Sequence, residues 1–260
     1  MKEKVYRKLV ELSNGKMSSK VLKKFSTAKL SKAFIPSYIK VFNIDTSDVS
    51  NERKEFKSLH QFFIRTLKDH ARPIANEPHL FASPVDAKIE SFGTIEDNIS
   101  FVVKGKKYLI EDLLGNIEQA ENYQGGQYIV FYLSPADYHR MHSPMDGVVV
   151  KQYVLGQKSY PVNQLGLTYG RNPLSHNYRM VSEIQYNGEQ RYAFIKVGAM
   201  FVNSIELTNT TTQWRKGEEV GYFSFGSTVV MLFEKNAVQF SPNVVQGASI
   251  KMGEAFAIVL

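Results

Sequence analysis

Gly221-Tyr222-Phe223-Ser224-Phe225-Gly226-Ser227-Thr228-Val229-Val230-Met231-Leu232-Phe233 is an almost unbroken apolar run, rich in the aromatic and β-branched residues that suit a pleated surface. It reads as a strand with Gly-Ser-Thr set into its middle, where glycine weakens the strand and marks a bulge or strained bend. Runs of the same kind recur at 101–110, 128–133, 148–155, 192–202 and 255–260, separated by Gly, Asn, Pro and Asp. Upstream of Phe81 the pattern differs. From Met1 to about Ile74 the chain reads as helical, with Ser58 as a cap for Leu59 to Leu67 and Arg72-Pro73 as a stop. The expected fold is α+β: a basic helical N-terminal region, residues 1–75, then a mostly antiparallel β-barrel or sandwich-like body, residues 76–260.

The chain has 260 residues, 43% of them hydrophobic, which is enough for a sizeable core and argues against disorder. It has no cysteine, which excludes disulfides, a thiolate nucleophile, iron–sulfur clusters and cysteine-type zinc sites. Any nucleophile must be oxygen or nitrogen. No apolar stretch approaches the ~20 residues of a membrane span, and no secretory h-region follows the first lysines, so the protein is expected to stay on the cytoplasmic side.

The net charge of +7 is unevenly spread. Residues 1–44 carry 11 Lys or Arg against Glu3 and Glu11, a local charge of +9, while the remainder is nearly balanced. Such an arm attracts nucleic acid or an anionic membrane surface. Met17, Val21, Leu22, Phe25, Leu30 and Phe34 recur at spacings of three and four, and Lys20, Lys23, Lys24 and Lys29 fall mostly beside that stripe. A basic amphipathic helix of this kind either docks on its own protein or lies in a lipid interface.

Two stretches resemble each other: Ser83-Pro84-Val85-Asp86 and Ser143-Pro144-Met145-Asp146, each entering a strand-like run. They read as twin turns of a duplicated β topology, with the Asp side chain closing each turn on nearby backbone. Immediately before the second turn stand His139 and His142, spaced three apart. That spacing suits either acid–base chemistry or a metal pair. A third ligand at helical spacing is missing, and Pro144 ends any helix, so acid–base chemistry is the better reading. At Gly226-Ser227, a flexible glycine precedes a hydroxyl that could attack the preceding carbonyl, provided a neighbouring base removes its proton.

Five motifs in order then bring in a resemblance. They are Leu59-His60-Gln61-Phe62-Phe63-Ile64-Arg65-Thr66-Leu67 with Arg72-Pro73-Ile74; Ser83-Pro84-Val85-Asp86; Tyr138-His139-Arg140-Met141-His142-Ser143-Pro144; Val197-Gly198-Ala199-Met200; and Lys216-Gly217-Glu218-Glu219-Val220-Gly221-Tyr222-Phe223 with Phe225-Gly226-Ser227-Thr228. Together, from about residue 55 to the C-terminus, they resemble the phosphatidylserine decarboxylase family of self-cleaving pyruvoyl enzymes.

The resemblance implies attack of Ser227 on the Gly226 carbonyl, with cleavage into a β chain of residues 1–226 and an α chain of residues 227–260 that stay associated. Residue 227 would become a covalent pyruvoyl group. It implies His142 as the base, Asp86 as the group that holds and polarises it, and His139 as proton donor once carbon dioxide has left a Schiff base of phosphatidylserine. It implies no metal, admits a homodimer, and favours an anionic membrane over nucleic acid as the partner of the +9 arm, hence a peripheral location on the cytoplasmic face of the cell membrane. Ala87 stands where the family often has Gly. Asn177-Tyr178-Arg179 matches in part a family Asn-x-Arg stretch, with substrate contact as the role to examine. Two alternatives remain open on the residues: a non-catalytic lipid- or nucleic-acid-binding β domain with a basic arm, and a pyruvoyl decarboxylase of another amine-bearing substrate.

Overall fold

A computed structural model of the chain describes residues 16–199 and 205–260. Its strands are β1 (Leu80–Ala82), β2 (Ala87–Thr94), β3 (Ser100–Val103), β4 (Lys106–Leu109), β5 (Gln127–Leu133), β6 (Arg140–His142), β7 (Gly147–Leu155), β8 (Arg179–Gln185), β9 (Arg191–Gly198), β10 (Ile205–Leu207), β11 (Gln213–Trp214), β12 (Glu219–Phe223), β13 (Ser227–Phe233), β14 (Val238–Phe240), β15 (Ser249–Ile250) and β16 (Ala255–Val259). Among the described residues they form an eight-stranded antiparallel sheet in the order β11-β7-β8-β9-β13-β5-β2-β15. Two three-stranded sheets, β10-β12-β6 and β1-β16-β14, and the β3-β4 hairpin complete the body.

The large sheet is open: β11 and β15 are its two edges, and no pairing joins them. Among the described residues no closed barrel is formed, and mostly antiparallel sheets with a few helices is the architecture observed. Both faces of the sheet are covered. Phe81, Phe131, Phe194, Phe223, Phe233 and Phe256 fill one side, against the small sheets. Phe101, Tyr108, Leu113, Ile195, Val230 and Leu232 fill the other, beneath short helices at Ile110–Leu114 and Ile117–Glu121. With both faces covered, β13 is buried at every position, and its two-residue period sends Val229, Met231 and Phe233 to the first side and Val230 and Leu232 to the second.

Two of the apolar runs turned out to be broken. Residues 101–110 fold as the β3-β4 hairpin, turned at Lys104-Gly105, both with positive φ. The run at 222–233 divides at Ser224–Gly226 into β12 and β13, which belong to different sheets. The Gly-Ser-Thr is thus at the start of a strand and not inside one. The extension of β9 toward Val202 lies outside the described residues, as do residues 1–15.

The N-terminal part contains helices α1 (Lys16–Thr27), α2 (Ile35–Phe42) and α3 (Leu59–Phe63), with 3-10 turns at Lys29–Phe34 and Arg53–Glu55. Ser58 caps α3, its hydroxyl accepting from the Gln61 amide at 3.2 Å. A small core of Ile35, Ile44, Val49, Phe56 and Phe62 holds this segment together. It is fastened to the β body by Tyr38 on the Pro135 carbonyl, Arg140 on the Ile64 carbonyl and Arg65 on the Ala136 and Asp137 carbonyls. Among the described residues no helix is long and apolar enough to cross a membrane.

Lys196 in β9 is fully buried, with its Nζ over the Phe194 and Trp214 rings and donating to Ser182 Oγ at 2.6 Å. Burial pushes its pKa down to about 7. The folded state therefore favours the neutral amine, and the unfolded chain binds the proton more tightly. Stability should rise with pH between about 7 and the ordinary lysine value, and be lowest below 7. Lys196→Met, which leaves Ser182 Oγ its bond from Gln152, is expected to raise the melting temperature by several degrees at pH 6 and by much less at pH 9. Calorimetry at the two pH values checks this. A variant equally destabilised at both would contradict it.

Candidate active site

The twin turns position the centre of the molecule. In each, the serine hydroxyl donates to the carbonyl two residues on, Ser83 to Val85 and Ser143 to Met145, both at 2.8 Å. Each then pairs with an x-Gly-Glu segment from far along the chain. Ser83 N donates to the Glu254 carbonyl and Gly253 N to the Ser83 carbonyl, while Ser143 N donates to the Glu218 carbonyl and Gly217 N to the Ser143 carbonyl. Gly217 and Gly253 have φ of 79° and 93°, in the region where L side chains are strained, which accounts for glycine at both. The two turns also exchange bonds, Ala82 N to the Pro144 carbonyl and His142 N to the Pro84 carbonyl, at 3.0 and 2.9 Å.

The aspartates do not close their own turns as expected. Asp86 accepts from the Met252 amide and Asp146 from the Lys216 amide, 2.9 and 2.7 Å away, so each ties its turn to the distant segment. The twins differ in what else they hold. Asp146 is exposed, whereas Asp86 is buried and takes Arg72 in a bidentate pair, Nε to Oδ1 at 2.9 Å and Nη2 to Oδ2 at 2.7 Å. Arg72, held also by Asp48, is pushed further up by these carboxylates.

Ser227 opens β13, hydrogen-bonded in register with Leu133 on one side and Gly198 on the other, and is fully buried. It faces the same side as Val229, and there its hydroxyl lies 3.4 Å from His139 Nδ1. His139 Nε2 is 2.9 Å from the Ser134 carbonyl. A carbonyl only accepts, so Nε2 carries the proton, and Nδ1 of the neutral ring presents a lone pair to Ser227. Phe63 of α3 stacks on the His139 ring with centroids 4.0 Å apart, and Phe225 lies beyond Phe63. Complete burial pushes His139 down to about 3, with the Arg65 guanidinium adding to the effect.

The structure does not bring His142 or Asp86 into contact with Ser227. His142 Nδ1 donates to the Gly217 carbonyl at 2.9 Å, and Nε2 accepts from the Tyr138 hydroxyl at 3.1 Å. Asp86 reaches the ring through its field and not through a hydrogen bond, because both its oxygens are taken by Arg72 and Met252. Burial pushes His142 below the ordinary histidine range, while the Gly217 carbonyl, Glu219 and Asp86 favour its cation. Both rings lie near a guanidinium, Arg65 for His139 and Arg140 for His142, and the difference between them is that Glu219 and Asp86 favour the cation of His142.

Gly226, in the bend between β12 and β13, has a φ outside the left-handed region, and a Cβ there would meet nothing within 4 Å. The strain expected at this glycine is absent from this state. Its carbonyl accepts from the Ala199 amide at 2.9 Å. Asn177 and Arg179, considered above for substrate contact, are committed to backbone. Asn177 binds Tyr160 and the Gly198 carbonyl, and Arg179 binds the carbonyls of Leu113, Ser175, Asn177 and Asp112.

The residues sequence reasoning passed over are Phe63, Arg65, Arg72 and Ser134. Three of them lie in the first quoted motif or its Arg-Pro-Ile extension, so the signal was present as a block without individual roles. Ser134 acts through its carbonyl, which no side-chain pattern reveals.

Ser227, buried with an imidazole nitrogen beside its hydroxyl, fits the serine from which a pyruvoyl group would be made. The sequence matches the phosphatidylserine decarboxylase family over residues 59–258. It is 48% identical over 257 residues to the phosphatidylserine decarboxylase proenzyme of Bacillus thuringiensis subsp. konkukian (strain 97-27), covering 99% of this chain and 98% of that one. It is 49% identical over 254 residues to the protein of the same name from Geobacillus kaustophilus (strain HTA426), covering 98% and 96%. With near-complete coverage at this identity, and with the five motifs inside the matched region, the chain belongs to the phosphatidylserine decarboxylase family.

Proposed function

We propose that the chain is a self-processing enzyme that converts phosphatidylserine to phosphatidylethanolamine and carbon dioxide at residue 227. The observation that carries this reading is the pairing of a fully buried Ser227 at a strand start with an imidazole nitrogen 3.4 Å away. Cleavage between Gly226 and Ser227 leaves chains 1–226 and 227–260, which the register of β13 between β5 and β9 keeps together. When formed, the pyruvoyl group supplies an electron-accepting carbonyl for loss of carbon dioxide.

The chain's own residues divide the proton work. Asp86, with Glu219, favours the cation that His142 would become on taking the Ser227 proton, which suits His142 as base. For that transfer His142 Nε2 must exchange the Tyr138 hydroxyl for that of Ser227. His139, held neutral here, suits the later step, since an imidazolium of low pKa gives its proton away readily to a carbanion at the neighbouring carbon. Its contact with Ser227 favours a second reading, in which His139 itself takes the Ser227 proton. Carbon dioxide release from phosphatidylserine vesicles, compared with free serine, tests the substrate. Release from serine alone, or from neither, would reject it.

The N-terminal region supplies the route to a lipid substrate. Val21, Leu30 and Val41 are 62%, 83% and 74% exposed. Phe25 and Phe34 pack edge to face on each other with centroids 5.4 Å apart and remain exposed, beside exposed Lys23, Lys24 and Lys29. An apolar patch fringed by lysines, unburied by the protein's own body, suits an anionic bilayer surface on the cytoplasmic face. Each lysine near such a surface is worth about 1 kcal/mol. Leu30→Glu with Phe34→Glu is expected to cut co-sedimentation with phosphatidylserine-containing vesicles at least about tenfold, since two buried apolar side chains are lost and two like charges gained. Undiminished binding would count against this surface.

A further inference from the structure

The Gly226 carbonyl is the one that Ser227 would attack, and it already has a hydrogen-bond donor. The Ala199 N–H points at it from 2.9 Å, one rung beyond the Gly198–Ser227 pair that ends the β9-β13 ladder. The donor is held from behind as well. The carbonyl of the same peptide unit, on Gly198, accepts from the Asn177 side-chain amide at 2.9 Å, and Asn177 is itself fully buried and fixed by Tyr160. Ala199 is buried too, so water does not compete for its N–H.

We propose that the Ala199 backbone N–H is the oxyanion donor of the self-cleavage reaction and afterwards anchors the carboxylate that cleavage creates. This rests on the self-cleavage reading given above. As Ser227 Oγ bonds to the Gly226 carbonyl carbon, its proton passes to the base and the carbonyl π pair moves onto the Gly226 oxygen. A neutral hydrogen bond becomes a charge-assisted one in a dry site, where such bonds stabilise most. The intermediate collapses by breaking the Gly226–Ser227 C–N bond, the nitrogen taking a proton, and leaves an ester. Loss of the residue 227 Cα proton with rupture of the Cβ–Oγ bond then releases the Gly226 carboxylate, one oxygen of which is still on Ala199. The dehydroalanine left at residue 227 takes up water and loses ammonia to give the pyruvoyl. Asn177 is a positioning residue in this scheme: it fixes the peptide plane and touches no reacting atom.

The rung would exist in an ordinary ladder too, so the test must read the rate and not the fold. Cell-free synthesis with Ala199→lactic acid replaces the N–H by an ester oxygen and leaves the side chain intact. The same change at Ala193, in the same strand but remote from Gly226, serves as control. We expect the residue 199 chain to fold, by circular dichroism, and to cleave about 10²–10³-fold more slowly than wild type. Hydroxylamine, which cuts only the ester, is expected not to restore release of the 227–260 fragment. Cleavage within about threefold of the Ala193 control, or full rescue by hydroxylamine, would overturn the proposal. A wild-type chain, made the same way, that never cleaves would instead reject the self-cleavage reading on which it rests.

Discussion

Ser227→Ala is expected to leave the protein as a single uncleaved chain with no release of carbon dioxide from phosphatidylserine. The expectation is absolute because one residue does two jobs in sequence on the proposed reading. Its Oγ is the nucleophile that must reach the Gly226 carbonyl, and its Cα becomes the electrophilic carbonyl carbon of the finished enzyme. No other group can substitute: the chain has no cysteine, and Thr228, the next hydroxyl, faces the opposite side of β13 among Val230 and Leu232. Folding should survive, since alanine fits a fully buried strand position between β5 and β9 and the only side-chain bond lost is the one to His139 at 3.4 Å. Gel electrophoresis and a carbon dioxide assay read the two effects. Cleavage at residue 226 in this variant would remove Ser227 from its role.

Replacing each histidine with alanine should separate the two reactions. His142→Ala is expected to stay full length. His139→Ala is expected to cleave and then to decarboxylate about 10²–10⁴-fold more slowly, the usual worth of a positioned acid. Taking the Ser227 proton makes an imidazolium, and His139 is the worse place for it: completely buried, pushed down to about 3, and beside Arg65. His142 is also buried and has Arg140 against it, yet the Gly217 carbonyl, Glu219 and Asp86 favour its cation, and no carboxylate does so at His139. After the proposed cleavage the Gly226 carboxylate would add a negative charge next to residue 227, the residue His139 touches, and so raise the proton affinity of His139. The opposite pattern, with His139→Ala uncleaved and His142→Ala processed, would give the first proton to His139, the ring now in contact.

Local chemistry carried most of what could be read from the sequence alone. The β-branched and aromatic runs became strands, the Ser-Pro-x-Asp pair became twin turns with the same internal bond, and Ser58 caps α3 as its position suggested. What could not be read depends on pairings between distant segments. The break at Ser224–Gly226 follows from β12 and β13 joining different sheets, and an apolar run does not announce which sheet each half will join. Whether the aspartates close their own turns or reach Met252 and Lys216 is decided by the duplicated x-Gly-Glu segments, which share too few residues to stand out as a repeat. Which histidine meets Ser227 is set by register: β6 pairs with β12, so His142 faces Glu219 and Gly217, while His139 sits just before that strand, beneath Phe63 and beside β13. The helix expected to reach Leu67 and stop at Arg72-Pro73 ends at Phe63, and Arg72 instead pairs with Asp86, which is visible only once residue 86 lies beside it.

The most direct test is the mass of the purified wild-type protein under denaturing conditions. The account predicts two chains, residues 1–226 and residues 227–260, the smaller one beginning with a pyruvoyl group in place of serine. A protein that remains one chain of 260 residues after prolonged incubation, or a small chain that begins with an unmodified Ser227, would contradict it.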